Sequence, residues 1–407
     1  MNQSFGELIS NKVTSLNETI KRWSFNQKIL ALLLLSLIIY GSFISLDVFL
    51  LRGWIDTTFG PTPDLGYYQE RAQAILDGLI LYKDIDVESP PLINYLFVPP
   101  QFFGGESWMF EIWFSLFPLF TGLLMYLILR RWNEHEAFLA SCLAIICPYA
   151  VVDATWGIQD EPIVAFFYIL PVLIFLAGRI RTSALAGTIA TWVKMLQGLI
   201  FPNLLISMKS NKERIIAVLI GIVFSLCIIG PFVIASGESI TDLFRYYFLG
   251  GDASGNTSGG MSLINLLVKG GFNIPGSVGL AITVIALIAS YYLAYRWKLD
   301  IWRSAMLTTV IFLSIYPMIR LGYFIIPFTF FALWAVKYKG VLFRLIAMYG
   351  FLFIGQGIET DEVGALTFNN SWIVAFILVL IGLLIMLDTA RICIKNKCLL
   401  DEELEDG

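Results

Sequence analysis

The chain has 407 residues, 57% of them hydrophobic and 14% charged, with a mean hydropathy of +0.76. Ordinary globular domains are roughly 45–50% apolar and about 25% charged, so an ordinary soluble domain is excluded and a polytopic membrane protein is expected. The net charge of −4, with no basic cluster outside short loops, excludes nucleic acid as a partner.

Residues 1–28 are polar and carry Lys12, Lys21, Arg22 and Lys28, which predicts a cytoplasmic arm. Because this polar segment precedes the first apolar run, no cleavable signal peptide is expected. Apolar runs follow at 29–51, 108–129, 137–153, 161–177, 183–195, 197–208, 214–235, 276–296, 303–319, 322–336, 341–357 and 372–391. A crossing helix needs ~20 apolar residues and several runs are shorter, so about 10–13 membrane helices are expected. Two neighbouring pairs have a basic residue at their break, Lys194 in 183–208 and Arg320 in 303–336. Broken helices are tolerated at membrane depth only where protein buries them or they line a cavity. Both breaks are therefore candidate cavity walls.

The basic residues set the orientation. With the N-terminus in the cytoplasm, outer segments hold Arg52, Arg71, Lys83, Arg245, Lys269 and Arg320, and Lys194 and Arg344 lie within spans. The other 19 of the 27 Lys and Arg are then on the inner side. This places 52–107 outside the membrane as the first extracytoplasmic loop. Asp56, Asp64, Glu70, Asp77, Asp84, Asp86 and Glu88 make it acidic, against Arg52, Arg71 and Lys83. A mere connection between two spans needs neither this length nor this chemistry. A second long outer segment, Ser236 to Pro275, is glycine-rich. The sequon-like triplets at Asn256 and Asn369 are weak signals.

Asp64 follows Pro63 and precedes apolar residues at helical spacing, which predicts a helix N-cap; at a cavity mouth the same carboxylate can take a proton or hold a metal. Asp160 and Glu161 stand where a helix enters the membrane, and the helix dipole alone would favour acids there. Asp64, Asp160 and Glu161 form a candidate site for Mg²⁺ or Mn²⁺, which prefer carboxylate oxygens. Lys194 is a lysine in mid-membrane, which costs about 2.5–3.5 kcal/mol on insertion scales and so calls for a polar cavity or a carboxylate. Arg320, beside Tyr323, offers a donor fork that fits a phosphate; a simple interfacial anchor is the alternative. His135, the one histidine, falls in an inner loop away from the acids. Asp47 reads as a satisfied interfacial acid. The five cysteines, Cys142, Cys147, Cys227, Cys393 and Cys398, show no CxxC spacing, so neither a disulfide framework nor a metal cage is expected.

Taken in order, these segments resemble the GT-C superfamily of membrane glycosyltransferases that use polyprenyl-phosphate sugars, and most of all its family 87 mannosyltransferase branch. The resemblance rests on Asp64-x-x-Tyr67-Tyr68-x-x-x-Ala72, Gly78-x-x-x-Tyr82-x-Asp84, Pro90-Pro91-Leu92 and Trp156-Gly157-Ile158-Gln159-Asp160. It continues in Thr191-Trp192-Val193-Lys194 through Pro202, and in Arg320-Leu321-Gly322-Tyr323 with Pro327. It implies an all-α polytopic enzyme with a catalytic module over 29–336. The region after 336 has no counterpart in the resemblance; from the residues alone, transmembrane helices at 337–391 and an acidic, solvated cytoplasmic tail at 392–407 are expected. The resemblance also implies inverting transfer of a hexose, mannose first, from a dolichyl or other polyprenyl phosphate to a hydroxyl of a glycan, lipid or protein on the extracytoplasmic face. The membrane would be a prokaryotic plasma membrane or the endoplasmic reticulum.

In that reading Asp64 and Asp160 are catalytic, and Lys194, Arg320 and Tyr323 bind the donor phosphate. Tyr67, Tyr68, Glu88, Trp156 and Gln159 contact substrate. Ile158 splits a glycine–glutamine pair usual in the family, and Ser89 replaces a commoner aromatic. These departures bear on the subfamily, and hence on sugar and acceptor. The rival class is a lipid-linked-sugar flippase or solute transporter, which should keep its acids near the membrane midplane instead of in an outer loop.

Overall fold

The computed structural model describes residues 15, 17–59, 63–237, 262–317, 319–359 and 371–403. Arg245, both sequon-like sites, most of the glycine-rich segment and the ends of both tails lie outside the described residues.

Among these residues the chain is helical and has no β-strand beyond one isolated bridge, Leu81 to Ile85. Six helices are long and apolar enough to cross a membrane: Phe25–Trp54, Ser107–Leu129, Asn211–Ser236, Ser277–Arg296, Lys339–Ile358 and the one beginning at Ser371. The pair Glu134–Ile145 and Pro148–Ala154 is long and apolar enough only when taken together, and it is bent by 42° at its break. Its bend follows from Pro148, which forces Cys147 out of helical geometry (φ −51°, ψ 117°). Shorter apolar helices, Glu161–Leu176, Ile301–Ile315 and those after the two basic breaks, complete the bundle.

The sequence accounts for several boundaries. The first span starts at Ser24, whose Oγ accepts from the Gln27 amide while the Gln27 side chain accepts from the Ser24 amide. This reciprocal pair satisfies two of the donors that a helix start leaves open. The same span widens into a π-helical turn over Asp47–Leu51 before Arg52. Helix Ile180–Val193 ends where Lys194 turns extended (φ −151°, ψ 130°), and a 3-10 turn, Met195–Leu199, links it to Ile200–Ser207. Helix Ile301–Ile315 ends before Pro317; Arg320 is extended, and the turn Leu321–Phe324 leads into Ile325–Ala335. Both basic breaks are thus real interruptions of helical backbone.

Ile301–Ile315 and Ile325–Ala335 are buried along nearly their whole length, with Trp302, Trp334, Phe330 and Phe331, and Tyr168 beside them, essentially inaccessible. Polar groups there are paired within the bundle. Trp302 Nε1 donates to the Phe330 carbonyl at 3.0 Å, and Asn203 Oδ1 accepts from Ser304 at 2.6 Å and Thr308 at 3.2 Å. Hydrogen bonds across helices serve as attachment where lipid removes the hydrophobic drive between them. The outer faces of Asn211–Ser236 and Gly276–Arg296 stay apolar and exposed, with Ile215, Ile222, Ile285 and Ile288 pointing outward.

At the C-terminal tail the structure corrects one expectation. The acidic tail is not wholly solvated: Asp401 accepts from Arg303, and Glu402 accepts from Asn133 and Lys337, each at 3.0 Å. Burial pushes the Glu402 carboxyl up, but the hydrogen bonds from Asn133 and Lys337 outweigh it and hold it below the usual carboxylate range. A lowered folded pKa stabilises above the unfolded value, about 4.3, and that stabilisation is lost as pH falls through the folded value. We predict that Glu402→Gln lowers stability at neutral pH by about 1 kcal/mol or less, as for a largely screened pair. The difference should vanish in acid; thermal unfolding in detergent at both pH values checks this, and a gap that persists in acid would refute it.

Candidate active site

Helix Pro63–Leu76, in the loop 52–107, is fixed to the bundle by Tyr68. Its ring stacks on Phe97 at 4.2 Å and meets Phe114 edge-on at 5.8 Å. Such aromatic pairs add about 0.5–1.5 kcal/mol beyond simple burial. Gln69 ties the same helix to the Gly105 carbonyl at 2.7 Å. Asp64 is therefore presented on a rigid element. It is not the cap the sequence suggested: the helix begins at Pro63, which puts Asp64 inside its first turn. Its carboxylate instead accepts from Arg320 Nη1 at 3.0 Å.

The second pair lies deeper. Asp160 occupies the N-cap position of helix Glu161–Leu176 but makes no side-chain cap bond. Both its oxygens accept from Lys194 Nζ, at 2.9 and 3.0 Å. The extended backbone at Lys194 swings the ammonium out of the helix to reach that carboxylate, and Gln197 secures the turn on the Val164 carbonyl at 2.9 Å. Lys194 Nζ also stands 5.6 Å from the Tyr323 ring centre.

These residues share one cavity of about 800 Å³, lined by Asp64, Asp160, Lys194, Arg320 and Tyr323. The loop residues Tyr67, Glu70, Arg71, Asp86, Glu88 and Ser89 line it as well, and Leu280, Val284, Leu287 and Phe312 give it an apolar wall. Tyr67 is exposed with the Arg71 guanidinium 5.6 Å from its ring, whereas Tyr68 is mostly spent on packing. Arg71 also donates to Ser89 at 3.2 Å, and Ser89 to Asn94 at 3.1 Å. Tyr82, whose phenol burial pushes well above its ordinary value, donates to the Ser89 carbonyl at 2.6 Å. Serine at 89 is thus the hub of the loop's polar fastening, which an aromatic could not be.

Three sequence candidates lie off the cavity wall. Glu161 is 2% exposed and sits behind the Arg320 turn, where a Cβ at Gly322 would collide with it and with Asp153. Only glycine lets that backbone pass so close. Trp156 turns inward, its indole donating to the Phe43 carbonyl at 3.2 Å and its ring 5.0 Å from that of Phe43. Gln159 bonds the Gly157 carbonyl at 3.1 Å. Conversely, the lining residues Arg71 and Thr283 carried no distinguishing sequence signal, while Ser89 was marked only as a departure and Thr191 only as part of the motif ending at Lys194.

The expected metal site does not fit this arrangement. Asp64 and Asp160 are each held by a cation, and among the described residues no three His, Cys, Asp or Glu side chains stand close enough to hold one ion.

No family model matches the sequence, and no curated protein matches it. Among solved structures the chain is similar to ArnT from Cupriavidus metallidurans, determined bound to undecaprenyl phosphate. The two share 16% identity with a TM-score of 0.54 over 93% of this chain and 74% of that one. The likeness concerns fold: the protein is an all-α integral membrane protein of GT-C-like architecture, as the sequence led us to expect.

Proposed function

We propose that the protein is a membrane glycosyltransferase that moves a sugar from a polyprenyl phosphate to an acceptor hydroxyl at the extracytoplasmic face. One observation carries the reading: a single cavity joins two cations, each held by a carboxylate, to an apolar wall. Leu280, Val284 and Leu287 of this lining belong to Gly276–Arg296, a helix that also exposes Ile282, Ile285 and Ile288, which would give a prenyl chain a path from the bilayer. The donor phosphate would sit between Lys194 and Arg320, near Tyr323. The similarity to a protein determined with undecaprenyl phosphate supports the same class of carrier.

In the proposed reaction the acceptor oxygen attacks the anomeric carbon from the face opposite the phosphate. The new C–O bond forms as the bond to the phosphate oxygen breaks, the anomeric centre inverts, and Asp64 takes the hydroxyl proton. Lys194 and Arg320 take up the charge that develops on the leaving phosphate, a form of stabilisation that is strong where water is excluded. Binding of donor would compete with Asp64 for Arg320 and so release the base when it is needed. Within this proposal the sugar is a hexose, mannose first, as in the family 87 branch, and the carrier is undecaprenyl or dolichyl phosphate.

The test is transfer by purified protein from radiolabelled polyprenyl-phosphate mannose, then glucose, to a mixed glycan and lipid acceptor extract. Because Lys194 and Arg320 already supply positive charge, EDTA is expected to leave transfer unchanged. Loss with EDTA and recovery with Mg²⁺ or Mn²⁺ would overturn that expectation. If no carrier-linked sugar is transferred, while the protein moves such a lipid across liposome membranes, the flippase reading takes its place.

A further inference from the structure

Next to the cavity, but outside it, lies a second charged cluster that the reaction does not use. Arg52 follows the π-helical turn of the first span and contacts Asp47 through Nε at 2.8 Å and Nη2 at 2.7 Å. The same Nη2 reaches Glu111 of the second span at 3.4 Å and the Trp156 carbonyl at 3.4 Å. Asp47 and Glu111 are both inaccessible, and both face the one Arg52 guanidinium. Burying two carboxylates around one guanidinium is costly unless geometry is gained in return.

That geometry concerns the turn at 155–160. Ile158, fully buried, has φ of +45°, a region a β-branched residue rarely enters and one that costs on the order of 1–3 kcal/mol. A strained turn persists only if its surroundings hold it. Here Arg52 holds the Trp156 carbonyl, Phe43 holds the Trp156 indole, and the Asp153 carbonyl accepts from the Gln159 amide at 2.8 Å. The residue this turn delivers is Asp160, with both oxygens on Lys194. Where the family resemblance would have a direct glycine–glutamine step, this chain inserts a buried isoleucine and needs an anchor.

We infer that Arg52 is a positioning residue: clamped by Asp47 and Glu111, it fixes the Trp156 carbonyl and thereby holds the strained turn that sets Asp160 against Lys194. The consequence for ligand rests on the function proposed above; the consequence for the turn does not.

The test variant is Arg52→Lys, which keeps a positive charge for Asp47 and Glu111 but lacks the planar fork needed to reach three partners. Hydrogen exchange of the amides at 156–160 should speed up while the remaining helices and the unfolding temperature stay close to wild type. Affinity for undecaprenyl phosphate should fall roughly tenfold, as contacting residues that act together commonly do. In an Asp160→Asn background the same Arg52→Lys change should cost no further affinity, whereas a merely structural arginine would cost the same in both. Unchanged exchange at 156–160, or fully additive losses of affinity, would overturn the inference. A wild-type protein that fails to bind undecaprenyl phosphate would count against the proposed function instead, and exchange alone would then decide the role of Arg52. If Arg52→Lys does not fold, Glu111→Gln, which removes one of the two clamps, should show the same faster exchange at 156–160.

Discussion

Asp64→Asn is expected to lower transfer by a factor of roughly 10²–10⁴, the usual contribution of a positioned general base, while undecaprenyl phosphate binds as well as before or better. The second half follows from the pairing. In the structure the Asp64 carboxylate occupies Arg320, at 3.0 Å, and a neutral amide would leave that guanidinium more available to a phosphate. Stability should barely change, because the pair is partly exposed, 45% for Arg320 and 23% for Asp64, and such pairs are worth about 0.2–1 kcal/mol. Single-turnover transfer and equilibrium binding measured on the same preparation separate the possibilities. Transfer within tenfold of wild type would move the base elsewhere, with Asp160 next. Loss of binding together with transfer would make Asp64 a structural member of the site.

This pairing marks the border of what the sequence reveals. Lys194 and Arg320 were legible because a cation inside an apolar run is costly and needs a reason, and each breaks a helix where the run is interrupted. The loop 52–107 was legible as a distinct segment because it is long and acidic in a chain otherwise poor in charge. Their partnership was not legible. Asp64 and Arg320 are 256 positions apart, and no periodicity links a loop helix to a distant turn. The same limit applies to Trp156 and Gln159. Helical spacing tells which face of a helix is inward, but an irregular turn with Ile158 in left-handed geometry has no period to read, so both were assigned to substrate when they hold the backbone. Asp47 looked like an ordinary interfacial acid because Glu111, which shares Arg52 with it, lies on another span and appears only once the two helices pack. The docked tail escaped for a related reason: a run of acids reads as solvated until Arg303, Lys337 and Asn133 are seen to converge on it.

The Asp160–Lys194 pair should behave in the opposite way to Asp64–Arg320, because it is buried. Asp160 is 6% exposed, so Lys194→Gln strands a carboxylate in a site that cannot solvate it, at a cost of about 3–5 kcal/mol. We predict a clear fall in unfolding temperature for that variant and recovery of most of it in Lys194→Gln/Asp160→Asn, where the partners are neutral and can still hydrogen-bond. Undecaprenyl phosphate affinity should not recover. Losing a charge-assisted hydrogen bond of about 1.5–3 kcal/mol corresponds to roughly ten- to hundredfold weaker binding, and the double variant should show that loss in a stable protein. Thermal unfolding and lipid binding in the same detergent test both statements. If the double variant is stable and binds like wild type, Lys194 serves only to neutralise Asp160, and the phosphate site must be built around Arg320 alone. If it is stable and does not bind, the lysine holds Asp160 before donor arrives and the phosphate afterwards. The broken helix at 194 then exists to put one ammonium within reach of both.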